Sequence, residues 1–546
     1  MLLAYRKSLH HCAAESMEAE VLGEAGRAAP PTDDALRDEV ATWRGGTFLW
    51  GSAAAQLGAH WRHGGAPRRA ALFRVIAAAV SHQNSEYEEG LYGIRGCAEE
   101  LAGSGDEVGA ACADAMTGSL LLASSHFEEA LQAYGTAAER AANAGAGRGE
   151  KVLAESKEGE SSALQRMGRY DESARRSREA LVLFESLGDP RGRAAALHGI
   201  GYVHVARGEY GEAQRRYDES LAIYRTTEDV RGGAFTLNGI GQVLAELGDY
   251  AGALLRYQEA LAVFRAIGDR RGVAYAQSGI GVVHAERGEY VEAQGAYGEA
   301  VMIFRAIGDL GGGAYAVHGI GFVFAEQGAF GEALEHQQEA LSIFQAAGDR
   351  RGEAYALHGI GVVHGERGEH GDALVRQREA LAIFREIGDR RGSVYALLGI
   401  GAAHGERSER AEALAQYEVA VTEATETGAK SVLAEALSRR AMALARSGNF
   451  ERAAADASEA TRLVLFSSSA TAEVLSHLAA ALAGQDPGEA RAALVFAQQR
   501  GMAGRRLEAL RVLAEVCEAT GDAAGAAAAI AERDALWLKE DLPPSH

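Results

Sequence analysis

Apolar residues within the segment 271–310 are spaced as two successive helices require. Both stripes repeat mostly every three or four residues, which keeps them on one helix face, although Gln277 interrupts the flank of the first. The first stripe consists of Val273, Ala276, Ile280 and Val283, and the second of Tyr290, Ala293, Tyr297, Ala300, Val301 and Phe304. Arg287-Gly288-Glu289 ends the first helix, and Gly308-Asp309 ends the second, since glycine favours a C-cap and aspartate the next N-cap. The pattern predicts a unit of helix, turn, helix, turn.

This unit recurs at a fixed period of 40 residues, and each copy carries Gly-Ile-Gly at one place in its first helix. The copies of this motif are Gly199-Ile200-Gly201, Gly239-Ile240-Gly241, Gly279-Ile280-Gly281, Gly319-Ile320-Gly321, Gly359-Ile360-Gly361 and Gly399-Ile400-Gly401. A fixed period indicates a solenoid, in which each unit buries its apolar face by stacking on its neighbours. Because a solenoid offers a long surface rather than a closed pocket, the expected function is binding.

The unit resembles the tetratricopeptide repeat (TPR). The family pattern appears here as Ile280-Gly281, His284, Gly288-Glu289-Tyr290 and Glu292-Ala293. The 40-residue spacing with Gly-Asp-Arg-Arg-Gly linkers is similar to the branch that includes kinesin light chain and the Leu-Gly-Asn repeat scaffolds. The resemblance implies an all-α fold, a right-handed superhelical solenoid of about ten helix-turn-helix units whose first helices line a concave groove.

The sequence is divided into five predicted segments by repeat quality and composition. They are a flexible N-terminal lead at 1–45, an irregular helical segment at 46–104, the TPR solenoid at 105–465 with its regular units at 190–429, degenerate C-terminal helical repeats that cap the stack at 466–538, and a tail at 539–546. Outer units are expected to be atypical because a terminal repeat must end the stack.

The resemblance places three columns of side chains along the groove. The first column is aromatic and consists of Phe235, Tyr275, Tyr315, Tyr355 and Tyr395. The second consists of His198, Asn238, Ser278, His318 and His358, and Leu398 interrupts it. The third is acidic and consists of Glu246, Glu286, Glu326, Glu366 and Glu406. Aromatic faces, hydrogen-bonding groups and a row of carboxylates together suit an extended or helical peptide with basic residues.

A purely structural interpretation of the same columns stays open. The glutamates lie near helix ends and can pair with local arginines such as Arg287, Arg367 and Arg407, and the tyrosines can pack between units. Each first helix also carries two interior glycines, at about 1 kcal/mol apiece relative to alanine. Either the neighbouring helices pack unusually close at these glycines, or a partner's backbone approaches the groove there.

No motif for catalysis, a cofactor or a metal is recognised. Gly-Ile-Gly lacks the third glycine and the preceding strand of a dinucleotide fingerprint, and no phosphate loop is present. His358 and His364 are six residues apart, about 600° of helical turn, which places the two rings on different faces. The chain is therefore expected to be non-enzymatic and to need no cofactor.

Charge and cysteine usage narrow the possible partners and compartment. The formal net charge of −21 opposes sequence-independent binding to nucleic acid, since such binding depends on lysine and arginine contacts with phosphates. The four cysteines, which are Cys12, Cys97, Cys112 and Cys517, show no metal or redox spacing. No apolar run reaches transmembrane length, and the first 20 residues do not resemble a signal peptide. A cytoplasmic location without membrane contact is expected.

The segment before the repeats suggests a context. Residues 53–65 and 84–91 resemble the junction that follows the ATPase core in bacterial signal-transduction ATPases with TPR sensor arms. The predicted function is therefore a non-catalytic scaffold or sensor arm that binds a protein or peptide. The alternatives are a structural spacer, a self-assembling scaffold, or a fragment of a larger regulatory ATPase or protease system whose catalytic part lies elsewhere.

Overall fold

The computed structural model describes residues 67–539, except 84–85, 145–146, 148 and 468. The predicted lead at 1–45 and nearly all of the tail at 539–546 lie outside the described residues. Between residues 67 and 539 the described chain forms helices joined by short turns and contains no strand, which confirms the all-α prediction. None of the described helices is both long and apolar enough to cross a bilayer.

The helices are numbered here in chain order. The first eight are α1 (Pro67–Gln83), α2 (Tyr87–Ile94), α3 (Cys97–Gly103), α4 (Glu107–Ala123), α5 (Phe127–Asn143), α6 (Glu150–Arg166), α7 (Tyr170–Ser186) and α8 (Pro190–Ala206). The next ten are α9 (Tyr210–Thr226), α10 (Val230–Glu246), α11 (Tyr250–Ile267), α12 (Arg270–Glu286), α13 (Tyr290–Ile307), α14 (Leu310–Glu326), α15 (Phe330–Ala347), α16 (Arg350–Glu366), α17 (His370–Ile387) and α18 (Arg390–Glu406). The remaining helices are α19 (Arg410–Thr427), α20 (Lys430–Arg446), α21 (Phe450–Ser467), α22 (Ala470–Gly484), α23 (Pro487–Arg500), α24 (Ala503–Thr520) and α25 (Ala523–Lys539).

The chain divides into two compact units. Among the described residues, the first comprises 67–165, 171–199 and 307–309, and the second comprises 166–170, 200–306 and 310–539. The sequence-based boundaries at residues 46, 105, 190 and 466 stay predictions.

The first unit keeps the packing of the repeats although its sequence is degenerate. Tyr134 of α5 is buried and packs with Ala130 and Ala163 in one apolar cluster. Its ring lies against Gly118 on one side and Gly159 on the other, where a Cβ would come within 2.9 Å and 2.2 Å of ring atoms. The absence of a side chain at these two positions therefore lets three helices of this unit approach one another.

The second unit shows the repeated helix pair in its regular form. The turn before α12 illustrates how the pairs are joined. Gly268 adopts φ +73° and closes the C-terminus of α11, a left-handed conformation that suits glycine. Asp269 then accepts a hydrogen bond from the Gly272 amide at 2.8 Å and caps the N-terminus of α12. The predicted cap residues thus act as expected at this turn.

The paired glycines of Gly-Ile-Gly pack against large side chains of the second helices. Tyr257 of α11 is representative: a Cβ at Gly241 would lie 2.9 Å from its ring, and a Cβ at Gly279 would lie 2.4 Å from it. The same enclosure by one glycine of its own unit and one of the next is found at Tyr217, Tyr257, Tyr297, Gln337 and Gln377. Close packing of neighbouring helices, one of the two explanations considered for these glycines, accounts for both of them.

Replacing Gly279 with alanine is expected to lower the free energy of unfolding by about 1–2 kcal/mol. Overpacking against Tyr257 costs about 1–3 kcal/mol, and the higher helix propensity of alanine offsets at most about 1 kcal/mol. Gly295 in α13 is the matched control, because it is exposed and a Cβ there meets nothing within 4 Å. Gly295→Ala should stabilise by about 0.5–1 kcal/mol. Urea unfolding of both variants tests this, and equal shifts in one direction would contradict the packing role.

Within the second unit, turns of early repeats contact elements much later in the chain. Arg500 Nη1 donates to the Arg287 carbonyl at 2.5 Å, across 213 residues of sequence. A Cβ built at Gly288 would lie 3.1 Å from Cβ of Ala470, and one at Gly208 would lie 3.0 Å from Cγ2 of Thr427. The second unit is therefore held by two kinds of contact, between adjacent repeats and between repeats far apart in sequence.

Candidate partner-binding face

Apart from His198, which belongs to the first unit, the members of the three predicted columns lie on first helices of the second unit, and these are together called the column face. Its residues are Phe235, Tyr275, Tyr315, Tyr355, Tyr395, Asn238, Ser278, His318, His358, Glu246, Glu286, Glu326, Glu366 and Glu406. The aromatic and hydrogen-bonding members are half-buried, whereas the acidic column ranges from the buried Glu246 and Glu326 to the exposed Glu406. Most of the column face thus retains some accessible surface.

Four of the five aromatic residues of the first column pack on a phenylalanine of the second helix in the same unit, whereas the unit of Tyr395 has Ala424 at that position. The ring of Tyr315 lies 4.7 Å from that of Phe344, and the ring of Tyr275 lies 5.0 Å from that of Phe304, both in edge-to-face geometry. Arginine groups cover other parts of these rings, as Arg271 does over Tyr275 at 5.6 Å. The aromatic column therefore contributes to the packing of its own repeats.

Two tyrosine hydroxyls of this column connect one repeat to the next. Tyr315 donates to Asp349 Oδ1 at 3.1 Å, and Tyr355 donates to Asp389 Oδ2 at 3.4 Å. Both aspartates also accept hydrogen bonds from the N-terminal amides of the following first helix. Burial raises the pKa of both tyrosines above its ordinary value. Replacing either tyrosine would therefore lower the stability of the fold as well as change the binding of any ligand.

The second column contains side chains with a hydrogen-bond partner and side chains with an unpaired polar atom. His318 Nδ1 lies 2.7 Å from Gln337 Oε1, and His358 Nδ1 lies 2.8 Å from Gln377 Oε1. Burial lowers the pKa of His318 and lowers that of His358 to about 4, so both rings are neutral at neutral pH. In contrast, Asn238 Oδ1 and Ser278 Oγ are enclosed but have no hydrogen-bond partner within the described part of the chain.

The first two columns are brought together between adjacent repeats. The His318 ring lies 6.2 Å from that of Tyr355, and the His358 ring lies 5.8 Å from that of Tyr395. The glutamates end the first helices, eleven residues after the aromatic position, which corresponds to about 16 Å along one helix. The acidic column is therefore separate from the other two within any single helix.

Arginines far away in sequence pair with the acidic column. Arg391 Nη1 donates to Glu246 Oε1 at 2.6 Å, across 145 residues, and Arg511 donates to Glu406 Oε2 at 2.5 Å, across 105 residues. Arg505 lies 3.8 Å from Glu326 and 3.9 Å from Glu366. The structural interpretation had assigned these glutamates to arginines in the adjacent turns, and the structure instead places them opposite arginines of later repeats.

Three carboxylates of the acidic column ionise less readily than a free glutamate side chain. Burial raises the pKa values of Glu286, Glu326 and Glu366, and the nearby guanidinium groups only partly offset it. Glu286 accepts a hydrogen bond from the Tyr250 hydroxyl at 3.1 Å and shares the positive charge of Arg391 with Glu246. Arg391 therefore serves two carboxylates and only partly offsets the burial of Glu286.

The local arginines have a different role. Arg287, Arg367 and Arg407 pair with Glu289, Glu369 and Glu409 of the turns that follow the first helices. A histidine of the same turn also binds each glutamate, as His364 Nδ1 does with Glu369 Oε2 at 2.5 Å. His364, Glu369 and Asp372 place possible metal-ligand atoms within 4.8 Å of one another. Because the histidine–glutamate pair recurs in four turns, helix-end stabilisation explains it without a metal.

Sequence analysis missed the arginines that complete the acidic column. Arg391 belongs to the Gly-Asp-Arg-Arg-Gly linker, which was used only to mark the repeat. Arg505 and Arg511 lie in α24, within the predicted capping segment. Their signal was a cluster of basic residues in an otherwise alanine-rich C-terminal region, which complements the acidic column in charge.

Comparison with known proteins places the repeats in a family. The model of the tetratricopeptide repeat matches residues 155–226, 234–306 and 314–386. No curated protein sequence matches the chain significantly.

The solved structures to which this chain is similar share little sequence identity with it. A Rap protein complexed with competence and sporulation factor is 13% identical, with 64% of this chain and 99% of that chain covered and a TM-score of 0.51. The Rap conjugation gene regulator of plasmid pLS20 with the Phr* peptide is 15% identical, with coverages of 63% and 99% and a TM-score of 0.44. The signal transduction ATPase with a tetratricopeptide repeat sensor from Pyrococcus horikoshii is 14% identical to this chain. The alignment covers 62% of this chain and 52% of that one, with a TM-score of 0.37.

Proposed function

We propose that this chain, of which three stretches between residues 155 and 386 match the tetratricopeptide repeat, is a non-catalytic scaffold that binds a protein or peptide segment on its column face. The observation that carries the proposal is the pair of unsatisfied groups, Asn238 Oδ1 and Ser278 Oγ. An enclosed polar atom without a partner costs about 1–3 kcal/mol. Both side chains are half-buried, so a change of rotamer can turn Asn238 Oδ1 or Ser278 Oγ toward a donor of a bound peptide. The adjacent half-exposed rings of Phe235 and Tyr275 offer apolar area beside these atoms.

The charge of this region favours a partner with basic residues. Glu286 lies at the end of the same helix as Ser278, and its raised pKa reflects burial that Arg391 does not fully offset. A lysine or arginine of the partner would supply the missing positive charge. The Rap protein of similar fold was solved in complex with competence and sporulation factor, which supports binding of another molecule as the role of this fold. A sensor or scaffold arm of a larger regulatory system is the role we assign to such binding.

The test begins with a pull-down from the source cell and continues with binding titrations of the captured partner. Asn238→Leu should weaken binding at least tenfold, because a hydrogen-bond donor of the partner would lose its acceptor. The fold should be little affected, because Asn238 Oδ1 accepts no hydrogen bond within the described chain. Glu286→Gln should reduce the salt dependence of binding. Met302→Ser is the control, because Met302 is 74% exposed on a second helix.

If the variants are folded and bind the partner as tightly as the parent, the partner does not bind at the column face. A spacer or self-assembling scaffold would then be the better description. Circular dichroism and a thermal melt of each variant must accompany the titration so that loss of fold is not read as loss of binding.

A further inference from the structure

The end of α21 carries two large apolar side chains on the surface of the second unit. Leu465 is 79% exposed and Phe466 is 59% exposed. In the earlier repeats the position of Leu465 is polar, and its residues there are Arg225, Arg265, Arg305, Gln345, Arg385 and Thr425. The position of Phe466 is threonine, alanine or glutamate in those repeats. The outer face of a terminal repeat is expected to become more polar, so two exposed apolar residues here indicate an interaction site.

The position of Phe466 has lost an ion pair that two earlier repeats form. In those repeats an arginine at the start of the first helix binds a glutamate near the end of the second, which are Arg350 with Glu386 at 2.8 Å and Arg390 with Glu426 at 3.4 Å. Lys430 and Phe466 occupy the equivalent positions one repeat later. The Lys430 ammonium lies 5.0 Å from the centre of the Phe466 ring and pairs with no carboxylate among the described residues. The cation of this pair is therefore kept, while its carboxylate is replaced by an exposed aromatic ring.

Leu465 also lines a groove of about 450 Å³ between segments that are far apart in the sequence. The groove lies between the start of α11, the turn after α12, the end of α21, the start of α22 and the end of α23. Val464, Leu465 and Phe496 are the large apolar residues of its lining. A groove of this size accepts large side chains of a partner, which act as anchors of an interface when they are buried in it.

Each aromatic ring of this surface has a cation beside it that lacks a carboxylate. The Arg500 guanidinium lies 5.3 Å from the centre of the Phe496 ring and donates to the Arg287 carbonyl. It pairs with no carboxylate in the described part of the chain. Lys430 stands beside Phe466 in the same way. A carboxylate of a partner can therefore bind either cation without breaking an existing ion pair.

The other charges of the groove do not reverse this preference. Arg287 already pairs with Glu289 at 3.0 Å. Glu473 is the one acidic residue among the described residues that line the groove, and it is half-buried. Two cations without carboxylates thus stand against one glutamate, so the surface favours an acidic partner. The column face favours basic residues, and the two surfaces therefore select different segments.

We propose that this groove, together with the exposed Leu465 and Phe466, is a docking site for a partner helix that carries large apolar residues and carboxylates. The apolar residues fill the groove and cover the two exposed side chains, and the carboxylates bind Lys430 and Arg500. Apolar contact supplies most of the binding energy, and the charges select the partner. A helix suits the site because apolar grooves between helices accept the apolar face of an amphipathic helix, whereas an extended segment needs a strand edge.

The probe is a fluorescein-labelled amphipathic peptide of about 18 residues, long enough to form a helix, with leucine and phenylalanine on one face and glutamate on the other. Anisotropy measures its binding to the full-length chain. Phe466→Glu should weaken the binding at least tenfold, because it removes an apolar contact and neutralises Lys430. The same variant should not lower the melting temperature, since it restores the ion pair that two earlier repeats form.

Val375→Glu is the matched control. It makes the same charge change at an apolar side chain that is 50% exposed on α17, which does not line the groove, so binding should stay within about twofold of the parent. Lys430→Gln should weaken binding less than Phe466→Glu and reduce its salt dependence. A peptide with lysine in place of every glutamate should bind at least tenfold more weakly than the acidic peptide.

The proposal is overturned if the acidic peptide does not bind the parent chain, or if Phe466→Glu binds it as tightly as Val375→Glu does. It is also overturned if the lysine peptide binds as tightly as the acidic one. Sedimentation velocity tests a different occupant: a parent chain that dimerises, with dimers that Phe466→Glu dissociates, would assign the surface to a second copy of this chain. None of these results bears on the column face, whose test uses other residues.

Discussion

Replacing Arg391 with methionine is expected to lower the free energy of unfolding by about 3 kcal/mol. Removing one member of a buried ion pair costs about 3–5 kcal/mol, and the lower end applies because Arg391 is 20% exposed. Its partner Glu246, 7% exposed, would keep only the 3.3 Å hydrogen bond from the Tyr210 hydroxyl. The variant also loses the hydrogen bond from Arg391 to the Tyr395 hydroxyl at 3.0 Å. Urea unfolding measured by circular dichroism gives the change.

A double-mutant cycle shows whether the pair itself is responsible. Arg391→Met combined with Glu246→Met should be less damaging than the sum of the two single changes, with a coupling of at least about 1 kcal/mol. The double variant removes the buried charge of Glu246 together with that of Arg391, but Glu286 still loses the positive charge of Arg391, so only part of the lost stability should return. Strictly additive losses would mean that Arg391 and Glu246 do not interact in solution.

Deleting half of one repeat should abolish the cooperative fold, whereas deleting a whole repeat should leave a folded but weaker protein. Removal of residues 271–310 joins equivalent positions, so adjacent helices still stack. Removal of residues 271–290 leaves α13 without α12, and Tyr297 then loses its contact with Gly281. Thermal melts followed at the helical circular dichroism signal distinguish the two deletions. Equal damage from both would contradict the stacking of 40-residue units.

The whole-repeat deletion should still cost about as much as losing Arg391, because it changes which residue faces that arginine. Four repeats before Arg391 the helix then ends in Ala206 instead of Glu246, so the guanidinium loses its carboxylate. Adding Ala206→Glu to the deletion should recover part of the loss. If this substitution destabilises the shortened chain further, the distant contacts of the second unit do not follow the repeat register.

The residues of the column face were predictable from the sequence, but which of its polar side chains have a hydrogen-bond partner was only partly predictable. One position of the second helix is Tyr in some units and Gln in others, and its identity correlates with the second column. Gln337 and Gln377 occur in the units of His318 and His358, to which they are hydrogen-bonded. Asn238 occurs where the second helix supplies Tyr257 instead. This correlation lies within a single sequence and could have identified Asn238 as the residue without an internal bond.

The sequence by itself determined the repeat, its helix pairs and the turn residues, because these depend on spacing within 40 residues. The structure decided that the paired glycines serve close packing against side chains such as Tyr257. Only the tertiary structure decided that the acidic column faces Arg391, Arg505 and Arg511. Each repeat is rotated slightly relative to the one before, and the sum of several small rotations selects the distant residues that meet. A period read from the sequence contains no measure of that rotation, so it predicts the column but not the residues opposite it.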